Sequence, residues 1–177
     1  MTRVYLLAAG NGRRAGGPKA WRPHEGQALL ERQLDFLKTR FAPGEIAVSI
    51  QEDWRERCAK LDGSVRWVGV DPEKPPMAAI VALLKAAPSA ESAFLYHVDM
   101  PLWETKLFDA LSAAAGEAVV PTYEGKKGHP VLLSAKTLKE LAQADPAKDR
   151  LDFWLRSRPT TAVEVPYPCI HENLNEG

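Results

Sequence analysis

Cysteine is scarce: the 177 residues hold two, Cys58 and Cys169, with no metal-ligand spacing between them and no nearby histidine pair to complete a zinc site. Both are expected to be reduced, structural thiols. A surplus of either charge is also missing, since Lys+Arg and Asp+Glu each number 23. Nucleic acids and anionic membranes attract proteins through excess positive charge, so neither partner is expected. No apolar run is long enough to span a bilayer. The start MTRVYLLAAGNGRRAGG turns glycine-rich and basic where a signal peptide needs further apolar length. The expected location is cytoplasmic. Internal repeats and low-complexity linkers are absent. At 45% hydrophobic and 26% charged, the chain is expected to form one globular domain over residues 1–177.

Short β-type runs alternate with amphipathic stretches: RVYLLA, QALLERQLDFLKTR, EIAVSI, DWRERCAKL, VRWVGV, MAAIVALLKAA, AFLYHV, LFDALSAAA and AVVPTY. That alternation predicts β-α units, hence a mostly parallel sheet with helices on its faces. Leu30, Leu34, Leu37 and Phe41 fall at helical spacing and predict a buried stripe. After residue 118 the pattern changes. AVVP and HPVLL are separated by the turn-rich TYEGKKG, which predicts an antiparallel ribbon and so a mixed sheet. Further helical stretches, AKTLKELAQA and RLDFWLRS, lead to a short strand, TAVEVP; Asp145 or Asp149 could cap the second of these helices.

The stretch LLAAGNGRRAGGPKAW, residues 6 to 21, places four glycines, adjacent arginines and a lysine between the first strand and the first helical pattern. Open α/β sheets bind ligands on such loops, at the carboxyl edge of the strands. Glycine lets backbone N–H groups approach an anion, and Arg14 and Lys19 add positive charge. The loop reads as a phosphate cradle. It lacks the third glycine of the dinucleotide fingerprint and the closing G-K-[ST] of a P-loop, which argues against a dehydrogenase. LYHVDMPL places Asp99 at the carboxyl end of another strand, where it could hold Mg²⁺ against phosphate oxygens or, alternatively, cap the next helix. Asp71 ends a third strand, either as a nucleotide contact or as a turn former with Pro72. The scattered tryptophans are read as packing anchors.

Together these segments resemble the MobA-like nucleotidyltransferases, which include the molybdenum-cofactor guanylyl- and cytidylyltransferases. LAAGNGRRAGGPK is similar to the family's L-A-[AG]-G-x-x-x-R-x-G-x-x-K. The resemblance puts Leu7, Ala8, Ala9, Gly10, Gly12, Gly16 and Lys19 on the nucleotide, with Arg14 beside them. HVDMPL resembles the D-x-P metal motif and implies Asp99 as the Mg²⁺ ligand. KPPMAAI resembles G-P-L-A-G-[IL] and implies Met77 and Ala78 beside the base, with Pro75 and Ala79 where the family carries glycine. KKGHPVLL resembles G-H-P-[VL]-L, which implies His129 near the acceptor. ENLN resembles the closing N-[IVL]-N, with Asn173 and Asn175 on its polar positions.

The fold so implied is a three-layer, Rossmann-like α/β domain of the nucleotide-diphospho-sugar transferase type with a mixed, mostly parallel sheet. The activity implied is Mg²⁺-dependent transfer of NMP from CTP or GTP to a phosphorylated acceptor, molybdopterin, with transient contact to molybdoenzyme maturation proteins. Lys19, Arg14 and Asp99 would stabilise the charge that develops at the α-phosphate. Two alternatives stand beside this reading. One is a nucleotidyltransferase for a sugar phosphate or another small phosphate; the other is a silent nucleotide-binding protein.

Overall fold

The computed structural model of the chain describes residues 2–12 and 16–174. Strand β1 (Arg3–Leu7) is covered on both faces, with Val4 and Leu6 in one apolar cluster and Tyr5 and Leu7 in the other. That division is the two-residue period of a central strand. Between β1 and the first helix lies a short hairpin, β2 (Pro23–His24) and β3 (Gln27–Ala28), which the apolar pattern does not separate from the helix. Helix α1 (Leu29–Lys38) buries Leu30, Leu34 and Leu37, and Phe41 is buried just past its end. Glu31 secures the start of α1 by accepting from the Ala28 N–H at 2.9 Å.

The chain continues through β4 (Ile46–Gln51), α2 (Arg55–Leu61), β5 (Arg66–Val70), α3 (Pro76–Ala86) and β6 (Ala93–His97). Strands β4 and β6 flank β1 and β5 lies outside β4, all parallel, as repeated β-α crossovers require. Helix α4 (Thr105–Ser112) leads to β7 (Ala118–Tyr123). The expected ribbon is present and is built into the sheet. Strand β8 (Lys126–Lys127) returns along β7 through Glu124 and Gly125, at φ +50° and +73°, the positive pair a two-residue hairpin needs. Strand β9 (Val131–Leu133) then inserts antiparallel between β6 and β7.

Helix α5 (Ala135–Leu141) is capped by Ser134, whose Oγ accepts from the Thr137 N–H at 3.2 Å. Helix α6 (Leu151–Arg156) follows, and β10 (Thr160–Glu164) closes the sheet beside β7. Neither aspartate caps α6, which begins after Arg150. Asp145 accepts from the Ala147 N–H at 3.0 Å and Asp149 from the Asp145 N–H at 2.7 Å, so both are spent on the preceding turn.

The strand order β10-β7-β9-β6-β1-β4-β5, with β8 on β7, makes an eight-stranded, mostly parallel sheet. Helices α1, α2 and α4 supply Leu34, Cys58 and Phe108 to one cluster, and α3 and α5 supply Ile80 and Leu138 to the other, which gives the three layers. Cys58 is a buried free thiol whose pKa burial pushes up to about 11, and Cys169 is free and half-buried. Among the described residues no helix is long and apolar enough to cross a membrane.

Candidate active site

Parallel pairing of β1 with β6 brings the segments after Leu7 and after His97 to one edge of the sheet. The ladder runs past the strand ends, with the Val98 N–H donating to the Leu7 carbonyl and the Ala8 N–H to the Ser49 carbonyl, each at 3.0 Å. Beyond this point the chains diverge around a small cleft of about 160 Å³ lined by Leu7, Ala8, Gly10, Gly12, Lys19, His97, Val98 and Asp99. Gly12 makes the loop possible. At φ +61°, a Cβ there would sit 1.7 Å from the Gly17 carbonyl oxygen, and the Gly17 N–H donates back to the Gly12 carbonyl at 3.1 Å. Gly16, also at positive φ, is exposed and borders neither this cleft nor the next. Arg14 lies outside the described residues.

Asp99 occupies the third position of a turn closed by the Met100 N–H donating to the His97 carbonyl at 3.1 Å. It is not a helix cap: α4 starts six residues later, with Glu104 at the N-cap position. The Asp99 side chain is 12% exposed and its Oδ2 is ion-paired with the Lys19 ammonium across the cleft. Sequence-distant groups of opposite charge are thereby held face to face.

A second cleft of about 270 Å³ adjoins the first and shares Leu7, Gly10 and His97 with it. Ala9 and Asn11 line its near side, while Val70, Asp71, Pro72, Lys74, Pro75, Pro76 and Ala79 form the wall opposite. Asn11 reaches that wall, its amide donating to Glu73 at 3.3 Å. Asp71 both borders the cleft and forms the turn, accepting from the Glu73 N–H at 2.9 Å. Met77 and Ala78 are placed differently from the sequence expectation. Because α3 begins at Pro76, helical periodicity turns positions 75, 76 and 79 to the cleft, drives Met77 into the core with Ile80 and Leu84, and leaves Ala78 off the lining.

His129 begins the segment leading into β9 and lies in the electrostatic neighbourhood of His97, Asp99 and His171. Burial, with the His97 and His171 rings adding to it against the opposing Asp99, lowers its pKa to about 4, so it is neutral near pH 7. His97 is lowered as well, chiefly by burial. The chain's last described segment packs here. The His129 N–H donates to the Ile170 carbonyl at 3.0 Å, the His171 Nε2–H to the Lys126 carbonyl at 3.0 Å, and the Leu174 N–H to the Asp99 carbonyl at 2.7 Å. Asn173 belongs to this segment, whereas Asn175 lies outside the described residues.

His97 and Ser49 are among the cleft residues that escape sequence reasoning. His97 stands beside the more conspicuous Asp99, and Ser49 is a lone polar residue in the apolar run IAVSI, which is the only signal it offers. The Ser49 hydroxyl is buried beside the cleft and has no hydrogen-bond partner among the described residues. Among the described residues no three metal-ligating side chains converge. The donor set still suits a hard divalent ion, because Mg²⁺ and Mn²⁺ are commonly held by one or two carboxylates plus phosphate oxygens and water. The Lys19 ammonium on Asp99 Oδ2 shows that the position accepts positive charge.

Comparison with solved structures shows the same fold, the nucleotide-diphospho-sugar transferase type. The chain is similar to Rv0371c from Mycobacterium tuberculosis H37Rv (22% identity, TM-score 0.78, 99% of this chain and 94% of that one). The latter's complex with manganese matches with a TM-score of 0.67. It is also similar to molybdopterin-guanine dinucleotide biosynthesis protein A from Archaeoglobus fulgidus (16%, 0.70, 99% and 93%). The 4-diphosphocytidyl-2C-methyl-D-erythritol synthase from Anaerococcus prevotii gives 18%, 0.70, 98% and 92%. No curated protein matches the chain in sequence. Residues 4–162 match the family described as the MobA-like NTP transferase domain.

Proposed function

The chain belongs to the MobA-like NTP transferase family, and on that premise we propose that it joins the NMP of an NTP to the phosphate of a small acceptor, with molybdopterin as the acceptor and GTP or CTP as the donor. An acceptor phosphate oxygen attacks the α-phosphorus, the bond to the bridging oxygen of the β-phosphate breaks, and pyrophosphate departs with the electron pair. The observation that carries this reading is the pairing of Lys19 with Asp99 beside a loop whose backbone closes only with glycine at position 12. The larger cleft would take base and ribose, with Ser49 and Asp71 as polar contacts, and the smaller one the phosphates.

A divalent ion held by Asp99, Mg²⁺ or the Mn²⁺ found with the mycobacterial relative, would neutralise phosphate charge when bound. The chain's own residues do the rest. Lys19 carries its ammonium on a flexible stem and can turn from Asp99 onto a phosphate as one arrives. Loop N–H groups orient the phosphates without reorganising, and neutral His129, in the electrostatic neighbourhood of Asp99, would serve the acceptor side. Molybdopterin is taken from the likeness to the Archaeoglobus protein, together with the GHPVLL and ENLN segments. A different phosphorylated acceptor has an observation of its own: the methylerythritol enzyme is as similar in fold, at TM-score 0.70, so the scaffold does not choose between acceptors.

Pyrophosphate release should be measured with purified protein, Mg²⁺ or Mn²⁺, each of the four NTPs, and either molybdopterin or methylerythritol phosphate. Turnover with one NTP and molybdopterin is expected, falling on the order of 10²-fold or more in Lys19→Ala and Asp99→Ala. Turnover with methylerythritol phosphate alone would replace the acceptor. Nucleotide binding without turnover for either acceptor would overturn the transfer reading.

A further inference from the structure

Gln33 is a polar side chain in the buried face of α1, with none of its surface exposed. It is 66 residues from Asp99 in sequence, yet its amide spans the backbone on either side of that residue. Nε2 donates one hydrogen to the Val98 carbonyl at 2.9 Å and the other to the Met100 carbonyl at 2.7 Å. Oε1 accepts from the Tyr96 hydroxyl and the Trp103 indole N–H, each at 3.3 Å. Carbonyls only accept and an indole N–H only donates, so the amide has one orientation and its hydrogen-bonding capacity is filled. A filled network in a dry interior holds its members to one geometry, whereas a half-filled one is costly.

The turn so held is the one that presents Asp99. The peptide after Asp99 is held by the Met100 N–H bond to the His97 carbonyl and by the Leu174 N–H bond to the Asp99 carbonyl, whereas the peptide before it presents the Val98 carbonyl to the interior. Gln33 engages that carbonyl together with the Met100 carbonyl. We infer that Gln33 is a positioning residue, clamping the Val98 and Met100 carbonyls so that the Asp99 carboxylate faces the phosphate loop at the angle a divalent ion and Lys19 require. The inference rests on the assignment of Asp99 as the metal-holding residue. Outer-shell partners of metal ligands are typically worth 10- to 100-fold in metal affinity or activity, and Gln33 is expected to act at that level through the backbone.

The test is Mn²⁺ binding to the full chain in the presence of GTP or CTP, followed by the electron-paramagnetic resonance of free Mn²⁺, beside thermal melting. Gln33→Met keeps the buried volume and removes both donors. It should weaken Mn²⁺ binding by 10-fold or more, while nucleotide affinity without metal changes less than about threefold. Tyr96→Phe and Trp103→Phe each remove one donor to Oε1 and should weaken Mn²⁺ binding by several-fold in the same direction. They keep the test decisive if Gln33→Met does not fold. Unchanged Mn²⁺ affinity in a folded Gln33→Met, or in both single variants, would overturn the inference. Failure of the underlying reading shows separately: wild-type protein would then bind Mn²⁺ no better than Asp99→Ala.

Discussion

His129 illustrates how a side chain's surroundings set its charge. Burial lowers its pKa from the ordinary 6.5 to about 4, with His97 and His171 nearby acting in the same direction and Asp99 against it. The unfolded chain takes up this proton below about pH 6.5, and the folded chain does so only near pH 4. In that window the unfolded state binds more protons, so folding stability rises with pH. The stability is complete above pH 6.5 and is lost progressively as pH falls toward 4, by no more than about 3 kcal/mol for a shift of this size. Urea unfolding at stepped pH should show the decline, and His129→Gln should flatten it. His97, lowered chiefly by burial, leaves part of the slope in the variant. An unaltered slope would mean that His129 is already protonated in the folded protein.

At the scale of elements, the site depends on segments that approach closer than any side chain allows. Gly128, in the stretch from β8 to β9, would place a Cβ 2.5 Å from the Ile170 carbonyl oxygen and 2.7 Å from that residue's side chain. Gly128→Ala must push the last segment away, which threatens the His129 bond to Ile170 and the Leu174 bond to Asp99. Hydrogen exchange at the His129 and Leu174 amides should accelerate, with a stability loss of about 1–3 kcal/mol as in other overpacked sites. Gly12→Ala is blocked by both φ and the Gly17 backbone. The loop around it covers little core, so melting should change slightly while nucleotide affinity, read by calorimetry, falls about 10-fold or more.

The whole molecule is held by the two apolar clusters that sandwich the sheet, and one of them is organised around Phe108. Its ring lies 4.9 Å from Phe94, 5.7 Å from Phe41, 6.0 Å from Phe36 and 6.1 Å from Tyr96, centroid to centroid. This single contact set ties α4 to α1 and to β6, whose end carries the turn of Asp99. Phe108→Ala should cost about 3–5 kcal/mol in denaturant unfolding, the usual range for a fully buried aromatic. A loss below about 1 kcal/mol would show that the aromatic cluster does not carry the packing between these elements.

Much of this was legible in the chain itself. Periods of two and of about 3.6 residues mark elements, and the glycines and lysine of residues 10–19 mark the loop proposed to hold phosphate, because each signal arises from neighbours within a few residues. Strand ends follow from the same patterns, so Asp99 and Asp71 could be placed on the sheet edge where the two clefts lie. Other features were decided by contacts between distant segments. The start of α3 at Pro76 sent Met77 to the core, and β9 entered the sheet between β6 and β7. The last segment fitted against Gly128, and a glutamine from the first helix closed on the turn of Asp99. Local sequence carries dihedral preference and polarity, but which carbonyls a buried amide meets is fixed only when the layers pack and every polar group must find a partner.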